Sequence, residues 1–157
     1  MTATHLHLLL NHLPILGSFF GLALLAGGSV SHGGQLWLTR AALAFFIVVG
    51  VSAVGANLTG ESAEHAVMKL PGVTRRAIHE HEEASEVALI AASLLGAAAL
   101  ATLLLQQRNH PATRRALWAV WGLALITAGL MARTGYEGGK IRRPELRGNE
   151  LNQGIEK

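Results

Sequence analysis

Charge is missing from four long stretches of this chain. No Asp, Glu, Lys or Arg occurs in Met1–Thr39, Ala41–Gly60, Val87–Gln107 or Ala116–Ala132. A helix on a water-soluble domain needs a charged face, so four such runs exclude an ordinary soluble fold. About 20 helical residues, rising about 1.5 Å each, cross a hydrocarbon core of roughly 30 Å, and each run with its flanks supplies that length. The runs are rich in Ala and Leu and do not alternate, which disfavours β-spans.

The expected fold is all-α: an integral membrane four-helix bundle with both termini on the same side. The spans are expected at about 6–28, 36–57, 85–105 and 116–134. A partly helical extramembrane connection occupies 60–84, broken at Leu70-Pro71-Gly72. Residues 1–147 form one domain and 148–157 a polar C-terminal tail. No Lys or Arg precedes the first run, so it is read as a retained span and not a signal peptide.

Parity has a chemical consequence. An even number of crossings gathers the N-terminal segment, the long connection and the C-terminal segment at one end of the bundle. That end receives His5, His7, His12, Glu61, Glu64, His65, the stretch His79–Glu83 and the stretch Arg133–Glu145. The opposite end receives His32, His110 and a few arginines. A localised function belongs at the polar end.

Composition removes several chemistries. The chain has no cysteine, which excludes disulfides, thiolate metal sites, iron–sulfur clusters and c-type haem attachment. Its 13 Lys and Arg are interleaved with 10 acids, and no nucleic-acid motif is present, so nucleic acid is not an expected partner. The expected partners are the lipid bilayer and other membrane or cytochrome subunits.

Orientation signals compete. More Lys and Arg lie at the polar end, which by the positive-inside rule points it to the cytoplasm. The opposite loops, however, carry Arg40, Arg108, Arg114 and Arg115 without an acid. The second signal is preferred, giving a multi-pass protein of the inner (plasma) membrane with its polar end on the outer (periplasmic) side.

Within the polar end, His81 heads a stripe of small residues at helical spacing: Ser85, Ala88, Ala92, Gly96 and Ala99. Such stripes mark close helix approach in membranes, so His81 is expected to point inward. His12, beside Pro14, is its expected counterpart, with His7 pointing elsewhere. Gly122, Gly129, Arg133 and Tyr136 share helical spacing, and Arg133 is expected to turn inward towards Glu61 or Glu82. Gly138-Gly139 is expected to form a turn that folds Lys140, Arg142 and Arg143 back over the bundle.

Two chemistries fit these residues. One is haem b, held between His12 and His81 with Arg133, Arg142 or Arg143 on its propionates, implying electron transfer. The other is a divalent metal such as zinc, iron or manganese, held by His12, His81, Glu61, Glu82 and Glu64. No histidine has a glutamate three positions before it, which disfavours a ferritin-like di-iron site. The zincin, P-loop, nucleophile-elbow and dinucleotide motifs are absent, so no enzyme class is indicated. The bland alternative is a cofactor-free structural subunit whose histidines and glutamates form hydrogen-bond and ion-pair networks.

The motifs His-Leu-His-Leu-Leu-Leu-Asn-His-Leu-Pro at 5–14, Leu-Thr-Gly-Glu at 58–61, Leu-Pro-Gly-Val at 70–73, His-Glu-Glu-Ala at 81–84 and Gly-Gly-Lys-Ile-Arg-Arg-Pro-Glu at 138–145 carry a resemblance over nearly the whole chain. It resembles a family of small bacterial four-span membrane proteins of unknown function. It is also similar to bacterial membrane domains sometimes joined to cytochrome c modules. The resemblance implies a redox setting and a site at His12, Glu61, His81, Glu82 and Glu145. A histidine often stands in that family where this chain has Arg143, which implies that Arg143 is not an indispensable ligand.

Overall fold

The structure, a computed structural model, describes residues 3–30 and 35–143. It contains five helices: α1 (Ala3–Leu10), α2 (His12–Val30), α3 (Leu36–Val67), α4 (Arg75–Gln107) and α5 (Thr113–Arg142). No strand occurs among the described residues. Four helical segments are long and apolar enough to cross a membrane: His5–Val30 (α2 with most of α1), Leu36–Glu61, Arg75–Gln107 and Thr113–Arg142.

The four long helices form a closed ring. α2 packs on α3 and α5, α4 packs on α3 and α5, and α1 rests chiefly on α3. Paired positions run in opposite directions along each interface. Gly17 meets Val49, Gly21 meets Phe46 and Gly28 meets Thr39, so α2 and α3 are antiparallel. The expected break follows α3: Gly72 takes φ 79°, a conformation open to glycine, and Thr74 caps α4 by accepting from the Ala77 N–H at 3.3 Å.

Small residues set the helix spacing. A Cβ on Gly96 would lie 3.2 Å from Gly50 Cα, so α3 and α4 touch backbone to backbone. Around that contact lies a core of Leu25, Leu43, Phe46, Leu95, Val120 and Ala124. A second cluster, Val49, Ala53, Ala88, Ala92 and Met131, lies next to it. Two hydroxyls inside are satisfied within their own helices, Ser18 donating to Ile15 O at 2.8 Å and Thr102 to Ala98 O at 2.7 Å, whereas the buried Thr127 Oγ1 has no hydrogen-bond partner among the described residues.

The outer surface is apolar. Phe20, Val51, Ile90, Trp118 and Ile126 are all more than half exposed. In water such a continuous surface would aggregate, whereas lipid requires it. α4 has 33 residues, about 50 Å at about 1.5 Å each, longer than the roughly 30 Å core. Its charge-free part, Val87–Gln107, is long enough by itself to cross such a core, and the charged residues of α4 all fall within Arg75–Glu86.

α5 differs from expectation at its end. It continues as helix through Gly138-Gly139 to Arg142, with no turn there. Lys140 contributes by reaching back to Glu137, three residues earlier, at 2.7 Å. Gly138 also has a packing role, described next.

Candidate functional site

The polar end brings together α1, the end of α3, the start of α4 and the end of α5, as parity requires. Two histidines enter the bundle there. His81 does so as its stripe predicts: Nδ1–H donates to the Thr134 carbonyl of α5 at 3.1 Å. Its ring lies against Gly138, where a Cβ would sit 3.2 Å from Cε1. Thr134 binds back, donating from Oγ1 to Ala84 O at 3.1 Å.

The second histidine is His7, not His12. His7 Nδ1–H donates to the Ala56 carbonyl of α3 at 2.9 Å, with Thr59 Oγ1 3.4 Å from the same nitrogen. Its ring faces Gly60. His12 is exposed, and its Nδ1–H is spent on Leu8 O of the preceding turn at 2.9 Å. The packing of α2 explains the choice. The buried positions of α2 are Pro14, Gly17, Ser18, Gly21, Leu25 and Gly28. Seven residues before Pro14, two helical turns up the same face, stands His7, while His12 lies across the helix.

Electrostatics follow from this placement. Burial pushes the His81 imidazole below its ordinary pKa; the Thr134 hydrogen bond opposes that, the His7 charge adds to it, and Glu137 opposes it. Glu82 is raised, first by burial and then by the Glu64 carboxylate beside it, with which it shares a hydrogen bond. Glu80 is lowered, chiefly by its hydrogen bond from Arg76 Nε at 3.0 Å. Lys140 is raised, chiefly by Glu137, and also lies 3.6 Å from Glu80 and 5.0 Å above the Tyr136 ring.

The remaining expected ligands scatter. Glu61 is exposed and its nearest ionic partner is His65, at 4.0 Å. Glu64 and Glu82 meet along an open groove of about 530 Å³, also lined by His65, Lys69, Arg75 and Ile78. His79 pairs with Glu83 at 3.3 Å and Glu82 at 3.9 Å on the outer face of α4. Among the described residues, no group of three or more His, Cys, Asp or Glu converges to hold a metal ion. The set His12, His81, Glu61, Glu82 and Glu64 is therefore not assembled.

Arg133 corrects a further expectation. It is exposed, on the face of α5 opposite the core, and has no ion pair with Glu61 or Glu82 among the described residues. Gly122 and Gly129 share that face, and a Cβ on either would meet nothing within 4 Å. The buried positions of α5 (Val120, Ala124, Thr127, Ala128, Met131 and Thr134) form the other face. Arg142 and Arg143 are exposed at the end of α5. Glu145 and His32 lie outside the described residues.

Fold and surface define a class: an all-α, four-helix, multi-pass membrane protein with a histidine-braced polar end. The chain matches no known family, no curated protein and no solved structure.

Proposed function

We propose that this chain is a cofactor-free packing subunit of a larger membrane assembly. The use made of the two inward histidines carries this reading. Each spends Nδ1–H on the backbone carbonyl of a neighbouring helix, and each ring lies against a glycine. The pair thus ties α1 to α3 and α4 to α5. Buried polar groups of this kind fix the mutual position of membrane helices.

A second reading has its own support. The Nε2 atoms of His7 and His81 have no hydrogen-bond partner among the described residues. An imidazole with Nδ1–H on a carbonyl and a free Nε2 is the tautomer that an axial haem ligand needs. In a redox-associated b-type subunit the ligand pair would then be His7 and His81, not His12 and His81. Arg133, on the outer face, would not serve a propionate.

An absorption spectrum with metal analysis on the purified chain in detergent decides between them. The packing reading expects no Soret band and no stoichiometric iron, zinc or copper. A Soret band that His81→Ala abolishes would overturn it in favour of the second.

A further inference from the structure

Two opposite charges face outward on neighbouring helices. Arg133 lies on the side of α5 away from its buried positions, and Glu86 on the corresponding side of α4. Both are exposed, and neither has an ion pair among the described residues. Each also borders a charge-free run: Ala116–Ala132 ends at Arg133, and Val87–Gln107 begins after Glu86. A charge facing outward at the edge of a membrane span is costly unless a group of opposite sign lies near it.

The packing of α4 on α5 fixes how deep these groups stand. The two helices are joined by a short connection and run antiparallel. His81 bonds to the Thr134 carbonyl, and Thr134 Oγ1 donates to Ala84 O. Counted along that register, Arg133 is level with residues 82–85, next to Glu86. Gly129 is level with 86–89 and Gly122 with 93–96.

We propose that a second copy of this chain docks on the combined outer face of α4 and α5, about a two-fold axis along the membrane normal, with Arg133 of each copy paired to Glu86 of the other. Such a rotation keeps every residue at its own depth, so levels read within one chain hold between two. It sets α5 of one copy against α4 of the other and makes the ion pair twice. Shape follows charge. A Cβ on Gly122 or Gly129 would meet nothing within 4 Å, so the outer face of α5 is hollow there. Ile90 and Leu94, each more than half exposed, project from α4 at or beside the levels of Gly129 and Gly122. Small residues opposite bulky ones let membrane helices pack closely.

Other occupants answer only part of this face. A lipid phosphate would satisfy Arg133 and leave Glu86 bare. Glu61 is exposed too, but it has His65 at 4.0 Å. It also belongs to α3, which stands across the ring from α5, so one two-fold interface does not hold both.

This inference rests on the packing reading above and names the partner. The test is energy transfer between donor- and acceptor-labelled full-length chains in phosphatidylcholine liposomes. The wild type should associate. Arg133→Glu alone and Glu86→Arg alone should each weaken self-association about tenfold or more, because each sets like charges together twice. A mixture of the two variants should recover the wild-type association, because both contacts are then of opposite sign. A monomeric wild type, charge variants that associate as the wild type does, or a mixture no stronger than either variant alone would each overturn the dimer. Should a charge variant not fold, cross-linking decides, since the chain has no cysteine of its own. Copies carrying Gly129→Cys, mixed with copies carrying Ile90→Cys under a mild oxidant, should cross-link more than either alone, and equal yields would overturn the dimer. A colourless chain that stays monomeric loses the dimer alone, whereas a Soret band is what removes the packing reading.

Discussion

Adding a single methyl at Gly96 tests the helix contact on which the whole ring depends. A Cβ there would lie 3.2 Å from Gly50 Cα and 3.3 Å from Phe46 O. Carbon atoms pack favourably at about 3.5–4.0 Å, so the methyl intrudes by a few tenths of an ångström. Both obstructing atoms are backbone, and neither can rotate away. α3 and α4 must separate by a similar amount, which loosens Phe46 and Leu95, both 0 % exposed. Overpacking of this size costs about 1–3 kcal/mol. The better helix propensity of alanine returns up to about 1 kcal/mol. Gly96→Ala should therefore lose about 1–2 kcal/mol, roughly a five- to thirty-fold fall in the folding equilibrium. Gly129→Ala is the matched control, because a Cβ there meets nothing within 4 Å. It should be neutral or gain up to about 1 kcal/mol. Reversible unfolding in mixed micelles, followed by circular dichroism, measures both. Equal stability of the two variants would refute the argument that backbone contact sets the spacing.

The same unfolding assay checks two further substitutions. Phe46→Ala removes a fully buried ring that packs against Gly21, and should cost about 3–5 kcal/mol; a loss under about 1 kcal/mol would mean that the site collapses or that the ring is not core. Thr74→Ala removes the oxygen that accepts from Ala77 N at 3.3 Å, and should cost about 0.5–2 kcal/mol, with faster amide exchange confined to the first turn of α4.

By itself, the sequence determined the class of fold and much of its layout. Charge-free runs of bilayer length leave little choice but four crossings, because burying charge in hydrocarbon is expensive. The Pro71-Gly72 break and the even parity follow from local chemistry and counting. The inward turn of His81 was legible too, because its stripe of Ser, Ala and Gly continues for five turns and fixes the helix face.

Tertiary structure decided which other residues share the interior with His81. Arg133 lies on a line of glycines that resembles a contact stripe in sequence. Those glycines face outward, because Thr127, Met131 and Thr134 claim the core side of α5. His12 and His7 both lie near Pro14, and only the packing of α2 on α3 shows that the heptad step from Pro14 leads to His7. Gly138-Gly139 carries the helix onward because Gly138 is the surface on which the His81 ring rests. In each case local sequence offers two faces of one helix with similar chemistry. Which face is buried depends on where the neighbouring helix stands, and that information is distributed over another segment of the chain.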